Sequence, residues 1–133
     1  MKLARKGDKT ELVEVWSSRK IQFYHVTSVA IGDYVYGSTG SRDPCFFAAI
    51  NIKDGKVAWR ERGFAMATCV LADGQLISLD EDGQLGLATA TPEKLTVHSK
   101  VSLLDKVSWT VPTVVGTKMY VRDKKIIMAL DLG

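Results

Sequence analysis

Three prolines, two cysteines and two histidines in 133 residues exclude several kinds of protein from the outset. Two cysteines are too few for a disulfide framework. Cys45 is followed by Phe46-Phe47 and Cys69 by Val70-Leu71, so both read as buried thiols in apolar strands rather than as a bridge. His25 and His98 have no close acidic or thiol companions, which leaves neither a zinc site nor a hydrolytic triad. Long hydrophobic runs are also missing. The longest mainly apolar stretch, Phe64 to Ala72, is interrupted by Thr68 and is far too short for a membrane span. The start, MKLARKGDKT, has basic residues but no apolar segment behind them, so no signal peptide is expected and the localisation stays open. No charge of one sign dominates. Eighteen Lys and Arg stand against fifteen Asp and Glu, scattered except for Lys2, Arg5, Lys6 and Lys9. The basic stripe of a nucleic-acid binder is not there.

What is present is repetition. VAIGDYVYG begins at Val29, VLADGQLIS at Val70 and TVVGTKMYV at Thr113. Each is an apolar strand, a tight turn carrying Gly, and a second apolar strand. Asp73-Gly74 is a strong hairpin signal, with Gly32-Asp33 and Gly116-Thr117 at the matching places. Val35, Leu76 and Met119 occupy one position of the repeat, 41 and 43 residues apart. A second pattern runs in step. FFAAINIKDGKVAWR places a strand, Asp54-Gly55, and a strand closing on Trp59; KGDKTELVEVW places Gly7-Asp8 and a strand closing on Trp16. The ending IIMALDLG sets Ala129-Leu130-Asp131 where Ala49-Ile50-Asn51 stood. Alternation of Leu95 and Val97 with Thr96 and His98 has the two-residue period of strands. No stretch of ten residues or more has helical spacing. With 46% hydrophobic and 25% charged residues, the chain reads as a globular, all-β domain. A period of forty to forty-five residues with four strands per unit specifies β-propeller blades.

The segment AAINIKDGKVAWR resembles the tryptophan-docking repeat of the PQQ-like β-propeller superfamily, and YVRDKKIIMALDLG is similar to the last blades of many bacterial members. The resemblance spans about Lys9 to Gly133. It implies that Trp16 and Trp59 dock between neighbouring blades, and that the region from Val97 to Lys100, which has no tryptophan, docks through smaller side chains. Members of the superfamily are often periplasmic or secreted. Some bind a quinone with calcium, but no cluster of Glu, Asn and Asp matches their ligands here. No cofactor, no metal and no catalytic residue is therefore expected.

The expected domain is a single partial propeller over 1–133, about three blades of four antiparallel strands with offset termini. Its repeats lie at about 22–60, 64–101 and 108–132, preceded by an outer strand at 11–16. The last blade lacks its outer strand and the N-terminus supplies a spare one. Propellers have four to eight blades, so the open edges need covering. One expectation is a homodimer in which each N-terminal strand completes the partner's last blade, giving six blades. The rival is that these residues belong to a longer protein.

Candidate binding residues are Tyr24, His25, Arg42 and Trp109. Tyr24 and His25 are placed in an innermost strand, lining a central channel. Trp109 begins the last inner strand, where it either joins them as an aromatic patch or packs between blades, the second being favoured. Gly37-Ser38-Thr39-Gly40-Ser41 is read as a flexible loop ending at Arg42-Asp43-Pro44, and as the best binding edge. The acids of LDEDGQ, Asp80 to Asp82, are read as a solvated hairpin turn. The function expected is a non-enzymatic scaffold or a protein- or peptide-binding module. The alternative is a fragment of a quinoprotein-type dehydrogenase or another propeller enzyme.

Overall fold

The computed structural model describes residues 1–40, 44–105 and 107–133. Among the described residues it contains thirteen strands and no helix. A two-stranded hairpin, β1 (Lys2–Lys6) and β2 (Lys9–Val13), comes first. The first four-stranded sheet follows in the order β3 (Val29–Ile31), β4 (Tyr34–Thr39), β5 (Phe46–Asn51) and β6 (Val57–Glu61). The second repeats it with β7 (Thr68–Ala72), β8 (Gln75–Leu79), β9 (Gln84–Ala90) and β10 (Leu95–Ser102). A three-stranded sheet of β11 (Thr113–Val115), β12 (Lys118–Arg122) and β13 (Ile127–Asp131) ends the chain. Every strand pairs antiparallel with its sequence neighbour, and the sheets do not close into a ring.

The turns follow from the sequence. Asp73 and Gly74 both have positive φ, 48° and 71°, the backbone of a tight primed turn between β7 and β8. Burial along the strands reports how the sheets stack. In β12, Met119 and Val121 are buried while Lys118, Tyr120 and Arg122 are exposed, so one face is covered. In β8, Leu76 to Leu79 are all buried, because the second sheet lies between its two neighbours. The core between the first and second sheets is built on Tyr36, Phe47, Phe64, Cys69, Leu76 and Leu95. That between the second and third is built on Ile77, Leu79, Leu104, Met119 and Val121. Each fully buried large side chain contributes about 1.5–3 kcal/mol.

Four expectations change. The N-terminus supplies a hairpin, not one strand, and Trp16 lies beyond β2. Tyr24 and His25 are not in a strand: residues 22–28 form a connector, bridged in parallel from Phe23 to Gly40, and the inner strand begins only at Val29. Gly37, Ser38 and Thr39 are no loop. They are the buried end of β4, paired with Ala48, Phe47 and Phe46, since small side chains let neighbouring groups approach. A Cβ on Gly37 would lie 2.7 Å from that of Ser28. The acidic turn is not wholly solvated, because Asp80 is buried.

That last correction has a structural cause. One carboxylate oxygen of Asp80 accepts the N–H groups of Asp82 (3.1 Å) and Gln84 (2.9 Å), fastening the β8–β9 turn. Asp123 holds the β12–β13 turn through the N–H groups of Lys125 (2.6 Å) and Ile126 (2.9 Å). Both acids cap turns by the local side-chain-to-backbone bonding that short acidic side chains favour.

Candidate functional site

Antiparallel order puts the start of each inner strand and the turn between the second and third strands of its sheet at the same end of the blade. The connectors entering β3 and β11 are brought together there by β7. The N–H of Cys69 donates to the Thr27 carbonyl at 3.0 Å. The Thr68 hydroxyl donates to the Thr110 carbonyl at 3.3 Å. Two adjacent residues of one strand thus hold the segments carrying Tyr24-His25 and Trp109.

The rings meet as a consequence. Tyr24 and His25 have centroids 4.1 Å apart, and His25 stacks on Trp109 at 5.8 Å with 28° between planes. Trp109 precedes β11 rather than starting it, and at 51% exposure it is not enclosed between sheets. Tyr24 is 59% exposed. Two further residues complete the cluster: Glu81, from the acidic turn read above as solvated, and Lys124, which the sequence did not single out. Glu81 accepts the Trp109 indole N–H at 3.3 Å, and the Lys124 ammonium lies 4.9 Å from the Trp109 ring centroid. Both stand in turns that enter the same end; the acidic run marked Glu81 as a turn residue only, and nothing in its local sequence marks Lys124. Arg42, together with Ser41 and Asp43, lies outside the described residues.

The other two tryptophans sit elsewhere and share a geometry. Trp16 donates its indole N–H to the Ile52 carbonyl at 2.6 Å, in the turn after β5. Trp59, in β6, donates to the Thr91 carbonyl at 2.9 Å, in the turn after β9. Each indole therefore crosses to the corresponding turn of the following sheet. His98 lies in the outer strand β10, against the Thr89 hydroxyl at 2.8 Å, far in sequence from the aromatic cluster.

A cleft of about 430 Å³ lies beside this end, lined by Cys45, Arg62, Phe64, Asp80 and Gln84 among others. Burial holds the Asp80 carboxyl above its ordinary range, with the turn N–H groups pulling the other way. Among the described residues no three of His, Cys, Asp or Glu gather as metal ligands. With Asp80 and Asp123 engaged by their own turns, the described residues do not fit a calcium ion with a quinone. No helix among the described residues is long and apolar enough to cross a membrane.

No protein-family model matches the chain, and neither does any curated protein. Solved structures do. A europium-containing methanol dehydrogenase superposes with a TM-score of 0.58 over 80% of this chain and 22% of its own, at 17% identity. BamB from Moraxella catarrhalis superposes with a TM-score of 0.55 over 77% of this chain and 29% of its own, also at 17% identity. The fold is that of β-propeller blades. The chain spans less than a third of either structure.

Proposed function

We propose that this propeller module is a non-enzymatic binding module that presents Tyr24, His25 and Trp109 to a protein or peptide. The observation that carries the reading is the convergence of three exposed rings from two separate connectors at one end of the blades. Tyr and Trp are enriched among the residues that dominate interface energetics, because they bury a large area at low entropic cost. Glu81 and Lys124 fix the Trp109 ring from either turn and supply a polar rim. Trp16 and Trp59 are read as docking residues that join one blade to the next.

The ring is completed in this reading by a second copy, with β2 of the partner pairing along the outer edge of β13. Two-fold closed dimers are the commonest oligomers. Because the N-terminus is a hairpin, β1 of the partner would form a fifth, outermost strand.

Peptides selected from a random library on the intact chain test the binding role. They should bind the wild type and lose at least tenfold in affinity to Trp109→Ala and Tyr24→Ala. Selected peptides that bind both variants as well as the wild type would sink it. Sedimentation tests the ring, and a clean monomer at micromolar concentration rules out the second copy. Turnover of an alcohol with added quinone and calcium would replace this reading with that of a dehydrogenase fragment.

A further inference from the structure

The Trp59 position has a counterpart in the second sheet that holds no ring. Trp59 stands opposite Ala49, immediately after a bulge that separates the Ala49 and Ile50 pairings. Ser99 stands opposite Leu87, immediately after a bulge between Val97 and Ser99. The two registers correspond, since Val35 pairs with Ile50 and Leu76 with Ala88. The residues under Trp59 change in the same way. Tyr36 and Phe47 have ring centroids 6.0 and 6.4 Å from Trp59, and at their register positions the second sheet carries Ile77 and Leu85. Three aromatic rings are thus replaced by Ile, Leu and Ser.

The missing volume is visible. A groove of about 210 Å³ lies between the second and third sheets, lined by Ile77, Leu85, Leu87, Ser99, Met119 and Leu132. Ser99 is the one lining residue with a polar side chain. The far wall of the groove also matches the first interface. The Leu132 N–H donates to the Thr117 carbonyl at 2.7 Å, as the Ile52 N–H donates to that of Asp33 at 2.9 Å. Ile52 is the residue whose carbonyl receives the Trp16 indole.

We infer that this groove is an aromatic-ring site for a free planar ligand of indole size carrying one N–H donor. The ring would lie on Leu85 and Leu87 as Trp59 lies on Phe47, and its N–H would bond the Leu132 carbonyl as Trp16 bonds Ile52. An apolar cavity open to a ligand of matching shape gains affinity by burying both surfaces. A single polar acceptor sets the orientation.

Indole titrated into the intact chain, followed by amide and methyl NMR shifts, tests this. Saturable shifts at Leu85, Leu87, Ser99 and Leu132 are expected, with naphthalene binding severalfold more weakly because it has no N–H to donate. Ser99→Trp should fill the groove, raise the unfolding midpoint and abolish the indole response. Ser99→Ala should leave the indole response intact. The proposal is overturned if indole at millimolar concentration produces no saturable shift at these four residues. It is also overturned if the shifts track protein concentration instead of indole, which would assign the groove to a second copy. Binding only by an extended tryptophan-bearing peptide would assign it to a partner strand, with the same consequence.

Discussion

Trp16 lies flat over Gly55. A Cβ built on that glycine would come within 2.7 Å of the indole, and Gly55 has φ +71°, where a side chain is strained in any case. The turn after β5 is therefore shaped by two demands, a left-handed backbone and an absent side chain, and the indole N–H bonds the Ile52 carbonyl of the same turn. This contact ties the segment after the N-terminal hairpin to the first sheet. Gly55→Ala should destabilise the chain by about 1 kcal/mol or more, from positive φ alone. Trp16→Phe keeps a ring over the glycine and removes one donor, at about 1 kcal/mol. In the double variant with Trp16→Ala, the cost of Gly55→Ala should shrink, because the clash has no partner. Urea denaturation of the four proteins gives the coupling, and strict additivity would mean that the two residues do not touch.

Trp59 is the equivalent residue one sheet on, but it carries more. Its ring packs on Tyr36 and Phe47 in the core between the first two sheets, and its N–H bonds the Thr91 carbonyl. Removing it opens a cavity in addition to losing the bond. Trp59→Ala should cost about 3 kcal/mol or more, and Trp59→Phe much less. Chemical denaturation monitored by circular dichroism would separate them. Equal losses would place the importance in the indole N–H rather than in the ring.

These two tryptophans show how far the sequence could be read. The repeat was legible because hairpin turns and strand alternation are local, and both are written in neighbouring residues such as Asp73-Gly74. The same locality hid other features. Gly37 to Thr39 look like a loop by composition, yet they are strand because close packing against Ser28 and Phe23 demands small residues. Tyr24-His25 look like strand by composition, yet they are connector because Thr27 is held by Cys69 from another sheet. The meeting of His25 with Trp109 depends on that long-range bond and on its companion from Thr68 to Thr110. No pattern along the chain encodes it.

Asp80 gives a pH prediction whose sign follows from its surroundings. Burial disfavours its charged form more than its two turn N–H bonds favour it, so its folded pKa stands above the unfolded value. A raised carboxyl pKa means stability that is fully present below the unfolded pKa and is lost as pH rises through the folded one. Asp80→Asn keeps an oxygen acceptor for the turn and has no charge to bury. The variant should unfold at a higher temperature than the wild type at neutral pH. Its advantage should vanish as pH falls below about 4, where a free carboxyl is itself protonated. Thermal unfolding of both proteins across that range decides it. A variant less stable than the wild type at neutral pH would show that the carboxylate's N–H bonds outweigh its burial.

Cys69 supplies a probe of the same core from its other side. Its thiol is almost fully buried in β7, among the side chains between the first and second sheets, and burial pushes its pKa up to about 12. Only the thiolate reacts with alkylating agents, so at pH 8 the folded chain should leave Cys69 unmodified by iodoacetamide. The side chain becomes available only when β7 leaves the core, since its backbone and the neighbouring Thr68 hold the two connectors in place. Labelling should therefore rise with urea along the same curve as global unfolding, read by mass spectrometry of the peptide containing Cys69. Labelling well before that transition would show β7 opening by itself. It would then also release His25 from Trp109, and the fluorescence of Trp109 should change at the same urea concentration as the labelling.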